Sequence, residues 1–253
     1  MIARLLLSLL FMLGQTTRPL TGAGVTKASG GGGGTWSLVQ LKYYSSAAGG
    51  TGGSGCAVST TTCTVTVSSV GAGHLVVMVP FSGSSAGTSI AWSAGSGETW
   101  THCGGTNGCL FAGANAGAVD AAYVLSATGG ETSFTCTVAS APPSYFACAI
   151  FEYAWSGATI TFDASNGAYT SSCTSCSGIG LTLSGSKDVI IQVGLPAQSL
   201  TAISGGAGYT NPQQFYDGAG QAGAINTTNG AAPTWTQSPA GPNVAMAIAF
   251  KGS

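Results

Sequence analysis

The sequence predicts an all-β protein, a single antiparallel β-sandwich of jelly-roll type with about 12–14 strands. Three observations lead there. Short runs rich in β-branched and aromatic residues recur along the chain, separated by Gly, Ser, Asn or Pro turns. After the first 23 residues no useful length of sequence carries apolar residues at helical spacing. The eight cysteines fall into four sequence-local pairs: Cys56 with Cys63, Cys103 with Cys109, Cys136 with Cys148, and Cys173 with Cys176. Such pairs close small loops and act as clips on turns.

The elements follow in order. "MIARLLLSLLFMLG" carries one charge, Arg4, ahead of an apolar run too short to span a bilayer. It matches a secretory signal, taken as residues 1–23, with small residues at Gly14-Gln15-Thr16 and Thr21-Gly22-Ala23. Residues 24–34 end in five glycines and read as a flexible linker. The sandwich domain is residues 35–253, long enough to bury a sizeable core. Its first strand is "TWSLVQLKYY". Then come "CTVTVSSV", "HLVVMVPF", "SIAWSAG", "ETWTHC", "AVDAAYVL", "TSFTCTV", "FACAIFEYAW", "ATITFDAS", "GLTLSG", "DVIIQVGL", "PTWTQS" and "VAMAIAFKG".

"CTVASAPPSYFAC" sets the register expected of one hairpin. If Cys136 faces Cys148, then Val138 faces Phe146 and Phe134 faces Ile150, with the turn at Ala141-Pro142-Pro143. Side chains alternate along a strand, so these six residues share one apolar face. A disulfide stapling that hairpin is the expectation.

Charge excludes some partners. Only 5% of residues are charged and the net charge is −1, although 44% are hydrophobic. Nucleic acid binding needs clustered Lys and Arg, so no nucleic acid partner is expected. No second apolar run is long enough for a membrane span. The surface must be covered by Gly, Ser, Thr and Ala, which favours self-association at low net charge.

"HLVVMVPFSG", "GETWT", "AAYVLSATGGETSFTCTV", "IFEYAWSG", "DVIIQVG" and "AMAIAF" resemble segments of a group of secreted β-sandwich proteins from environmental bacteria. Those proteins are similar in architecture to the concanavalin A-like jelly rolls. The resemblance spans about Trp36 to Phe250 and implies an extracellular location. It carries over no catalytic residue, and the cysteine clips depart from the usual members.

Candidate chemistry is sparse. "CTSC" is a CxxC without the helix that lowers a redox thiol's pKa, so a turn disulfide is expected. A zinc ribbon needs two such pairs, and no metal or cofactor is expected. His102 adjoins Cys103, but neighbours on a strand point to opposite faces, which suits Cys103 to a disulfide rather than to nucleophilic work. His74 is expected at a solvated strand end. Among seven carboxylates, Glu152 falls by parity on the apolar face and needs hydrogen-bond partners there. A catalytic pair of Glu152 with Asp120 or Asp163 is the enzymatic alternative. Phe151, Tyr153 and Trp155 fall on the opposite face, as core or as an aromatic strip. "YTNPQQFYDG" is expected as a polar surface loop with Tyr209 and Tyr216. The expected function is a secreted, non-catalytic carbohydrate-binding or adhesive surface protein. Tyr153, Trp155, Tyr209 and Tyr216 would contact a neutral polysaccharide. A structural subunit of an extracellular filament or matrix, pairing with copies of itself, is the second reading. A jelly-roll glycan hydrolase or lyase is the third.

Overall fold

A computed structural model describes residues 34–45, 49–57, 59–83, 90–92, 97–103, 111–113, 117–138, 146–204, 209–214, 222–226 and 233–253. The expected signal, most of the linker, Cys109 and Tyr216 lie outside the described residues. Among the described residues no helix is long and apolar enough to cross a membrane.

The all-β, antiparallel prediction holds: eighteen strands form three antiparallel sheets and no helix is present among the described residues. In chain order they are β1 Trp36–Ser45, β2 Gly49–Gly50, β3 Gly53–Gly55, β4 Thr62–Thr66, β5 Leu75–Ser82 and β6 Ile90–Trp92. Next come β7 Thr101–His102, β8 Phe111–Gly113, β9 Gly117–Val119, β10 Ala122–Val124, β11 Ser133–Val138 and β12 Phe146–Trp155. The last are β13 Ile160–Ser177, β14 Asp188–Pro196, β15 Ser199–Ser204, β16 Tyr209–Gln214, β17 Ala222–Asn226 and β18 Thr234–Gly252.

The count exceeds the expected 12–14 because glycine-rich connections supply short bridges, and because Asp120 and Ala121 split "AVDAAYVL" into β9 and β10. Tyr209 to Gln214, expected in a loop, forms β16. "GLTLSG", expected as a strand, has no strand pairing. β13 runs 18 residues, far beyond "ATITFDAS".

The central sheet has the order β2-β1-β12-β5-β10-β7, with β9 beside β5 and β8 beside β9. β5 is apolar at nearly every position, and its alternate side chains enter two different clusters. Leu75, Val77, Val79 and Phe81 meet Val189, Ile191 and Val193 of β14 and Met246, Ile248 and Phe250 of β18. Val76 and Met78 meet Val65 of β4 and Phe134 and Val138 of β11. The central sheet is therefore covered on both faces, which is why "HLVVMVPF" is a continuous rather than an alternating apolar run. Each fully buried Val, Leu, Ile or Phe stabilises by about 1.5–3 kcal/mol.

The hairpin reading of Cys136 and Cys148 is corrected. The disulfide is present, but β11 pairs with β4 and β6 while β12 pairs with β1 and β5. The bond therefore ties two sheets together through the cluster between them, where both cysteines are fully buried. The six residues of the expected apolar face all enter that cluster. Parity was sufficient for the face; it could not distinguish neighbours in one sheet from neighbours across two. Cys56–Cys63 clips β3 against β4 in the same cluster, and Cys63 sits opposite Cys136 in the β4–β11 pairing.

Candidate functional site

Tyr153 and Trp155 share a side of β12 but have different surroundings. Tyr153 is 1% exposed and meets Trp36 edge to face at 6.4 Å. Burial pushes its phenol well above the usual range. Its ring is core, so the expected strip of two solvated aromatics does not form. Trp155 is half-buried and packs on Trp36 at 5.0 Å, with Nε1 donating to Ser253 O. A Cβ at Gly34, Gly157 or Gly252 would come within 2.2, 2.4 or 2.3 Å of its indole. Three glycines thus let the ring lie flat where β1, β12 and β18 end. Tyr209 pairs through its backbone with Asn226.

Glu152 lies where parity places it, fully buried at the end of the β4–β11 side of the central sheet. Its partners come from two directions. Gln40, its neighbour on β1, donates from Nε2 to Oε2 at 2.5 Å. Gly71 N–H donates to Oε1 at 2.9 Å, and His74 Nδ1 donates to the same oxygen at 2.5 Å. Gln40 also donates to Ser68 O and accepts from Ser68 N–H. The carboxylate thus anchors the 68–74 connection against the sheet. His74 stands directly ahead of β5 and is 26% exposed, a partly solvated strand end, and its ring packs over Gly71 onto Glu152. His102 is partly buried, which lowers its pKa, and Cys103 is disulfide-bonded.

A second polar group closes the other end of the sheets. Asp163 is the bulged residue of β13, between the pairs Phe162–Phe250 and Ala164–Ala249. Its Oδ2 accepts from Ser184 N–H at 2.8 Å and Gly185 N–H at 3.3 Å, and its Oδ1 accepts from Ser184 Oγ. Lys251 Nζ is 3.5 Å from Oδ1. Burial alone would raise the Asp163 pKa; the Ser184 and Gly185 hydrogen bonds and Lys251 outweigh it and hold the group below the usual range. Asp188, which opens β14 opposite Lys251, is 3% exposed. Burial first, then the charge of Asp163 and a hydrogen bond to it, push its carboxyl up to about 6 against the pull of Lys251. Neither carboxyl offers a reacting group to a substrate, because the Asp163 side chain is 1% exposed as well. Asp120 is 2% exposed, and its Oδ1 accepts from Ala121 N–H at 2.7 Å.

Parity missed Gln40, Ser184, Asp188 and Lys251 as a polar framework. An Asp directly ahead of an unbroken apolar strand and a Lys directly after another were the available signal.

The longest feature without a second neighbour is β13. Among the described residues it pairs only with β18, leaving its other edge unpaired. From Ala164 to Thr170 the pairing is regular, bounded by the Asp163 bulge and by bulges at Cys173. The Cys173–Cys176 disulfide sits in that second irregular stretch, on a strand and not at a helix N-terminus, as a structural clip. Gln237 Nε2 supports it, donating to Cys173 O at 2.9 Å and to Gly241 O at 2.7 Å. The regular stretch, "ASNGAYT", carries no charge and no proline, and Asn166, Ala168, Tyr169 and Thr170 are exposed. Two other edges are guarded. β1 has a bulge at Val39 and a lysine, Lys42; β16 has a bulge and Pro212. Bulges, lysines and prolines are the usual defences of an open edge.

No known family model matches the chain, and no curated protein matches it significantly.

Proposed function

We propose that the protein is a secreted, non-catalytic surface protein of structural or adhesive type that pairs with a second copy of itself along β13. The observation that carries this reading is the uncharged, proline-free edge from Ala164 to Thr170, set between two bulges. An open strand edge presents alternate N–H and C=O groups outward, ready to pair with another strand. At about 3.4 Å per residue the regular stretch is about 20 Å long, enough for a full-length strand pairing. The net charge of −1 adds almost no repulsion between copies. Self-pairing of this edge about a two-fold axis uses it in both copies and gives a dimer rather than an open fibre. The described disulfides fit an oxidising compartment, which supports the extracellular placement.

Polysaccharide binding through Tyr153 and Trp155 has less support, since one ring is core and the other is boxed by glycines. Sedimentation velocity tests the proposal. The protein should sediment as a dimer at micromolar concentration, and Asn166→Lys with Ala168→Lys should leave a folded monomer. A wild-type protein that stays monomeric at high concentration, or a double variant that still dimerises, refutes pairing at β13.

A further inference from the structure

We propose that Asn166 is a self-cap on the β13 edge: its side chain occupies the Gly167 N–H, the central outward amide, and a second copy must displace it to pair. The inference rests on the pairing at β13 and names what regulates it.

The outward amides of β13 follow from β18. Gly252 N–H donates to Lys187 O, and Pro242 O accepts from Ala197 N–H, both in register with the β14–β18 pairing. The even-numbered residues of β18 therefore turn their backbone polar groups toward β14. Ser253 N–H, one residue on, donates to Thr159 O on the β13 side. In an antiparallel strand the N–H and C=O of one residue point the same way, and alternate residues point opposite ways. Met246 thus faces β14. Gly167 stands opposite Met246 as a non-hydrogen-bonded pair, so its N–H and C=O face the open edge. The same parity turns Ser165, opposite Ile248, and Tyr169, opposite Val244, outward.

The central one of these three amides is already taken. Gly167 N–H donates to Asn166 Oδ1 at 2.8 Å. The Asn166 backbone is turned to β18, and its exposed side chain reaches round to the edge. Gly167 is also the midpoint of the regular stretch Ala164 to Thr170. With a two-fold axis there, the two copies of Gly167 face each other and exchange two N–H···O bonds. Asn166 then faces Ala168 of the second copy, whose small side chain leaves room for the displaced amide. A backbone N–H is a single donor, so neither central bond forms while Asn166 holds it. The cap is one bond in open solvent, so it opens readily and leaves the amide exchangeable. It still competes with the second copy, and does so twice per dimer, which raises the concentration at which pairing sets in.

Sedimentation equilibrium and amide NMR test the cap in the full chain. Phe111 packs against Gly167, where a Cβ would come within 2.3 Å, so the test is made at Asn166 and not at the glycine. Asn166→Ala removes the accepting oxygen without adding the charge that Asn166→Lys brings. It should lower the dimer dissociation constant at least about fivefold, the gain from one modest hydrogen bond per copy. Thr170→Ala, on the same face but away from the cap, should not lower it. In dilute solution the Gly167 amide proton should resonate downfield in wild type and in Asn166→Asp, which keeps an accepting oxygen, and should move upfield in Asn166→Ala. An unchanged or higher dissociation constant for Asn166→Ala overturns the proposal, as does a Gly167 resonance that moves alike in the Asp and Ala variants. Should no form dimerise while the Gly167 resonance behaves as expected, the cap is real, and it is the pairing, and the gate with it, that falls.

Discussion

Replacing Glu152 by Gln changes one atom and should cost more than most core substitutions of its size. Both carboxylate oxygens face donors. Oε2 meets the Gln40 amide, and Oε1 meets Gly71 N–H and His74 Nδ1. A carboxylate accepts on both sides, but a glutamine has one accepting oxygen and one donating nitrogen. With the new NH2 toward Gln40, two amide nitrogens confront each other. Gln40 cannot turn to relieve this, because its own Oε1 accepts from Ser68 N–H and its Nε2 also donates to Ser68 O. With the new NH2 toward Gly71, a fixed backbone N–H loses its acceptor. Either orientation loses at least one hydrogen bond to a charged group, at about 1.5–3 kcal/mol. A donor left facing a donor adds about 1–3 kcal/mol, so the total is about 2.5–6 kcal/mol. For a domain of this size that is a fall in Tm on the order of 5–24 °C. Thermal unfolding followed by circular dichroism measures it. Gln40→Ala in the Glu152→Gln background should then cost less than in wild type, because the clash has gone. A Tm within 2 °C of wild type would refute the account of Glu152 as the acceptor that holds the 68–74 connection.

Other predictions follow from the same geometry. Asp188 has its pKa raised from 3.8 to about 6, so its contribution to stability is fully present below 3.8 and lost as pH rises through about 6. The shift of roughly 2 units corresponds to about 3 kcal/mol, so Asp188→Asn should melt about 6–12 °C above wild type at pH 8 and near it at pH 4, by scanning calorimetry. Asp163 acts oppositely: its depressed pKa lends stability above the ordinary aspartate value that is lost on strong acidification, leaving wild type most stable in mild acid. The Tyr153 hydroxyl is buried with no hydrogen-bond partner among the described residues, so Tyr153→Phe should leave stability unchanged or raise it by up to about 1 kcal/mol in urea titration. Tyr153→Ala should cost about 3–5 kcal/mol. Replacing both Cys136 and Cys148 by Ala should cost about 2–4 kcal/mol and loosen β11 from the central sheet, seen as faster exchange of the Phe134 to Val138 amides.

The strands were largely legible because β-branched and aromatic runs between turn residues carry their own signal. Parity along β12 put Glu152 beside Cys148 and Ile150, and that local rule held. What failed was long-range. Cys136 and Cys148 are 12 residues apart, and the sequence cannot say whether β11 turns back to pair or crosses to another sheet. The continuous apolar run of β5 carried the missing information, since a strand apolar on both faces needs a sheet on each. The length of β13 was hidden for a different reason. Its second half is polar and exposed, "YTSSCTSC", and reads as a loop because only its pairing with β18 keeps it extended. Tyr153 and Trp155 looked equivalent by spacing; what separates core from rim is that Tyr153 lies inside the cluster with β14 and β18, while Trp155 meets only the end of β18.

The claim that most needs testing is that β13 is a pairing edge. Hydrogen exchange of the Ala164 to Thr170 amides, measured in dilute and in concentrated solutions of the protein, reads it directly. The account predicts that alternate amides of this stretch exchange freely in dilute solution and become protected at high concentration, while those bonded to β18 do not change. Equal exchange at both concentrations, with the dimer present, would place the interface elsewhere and contradict it.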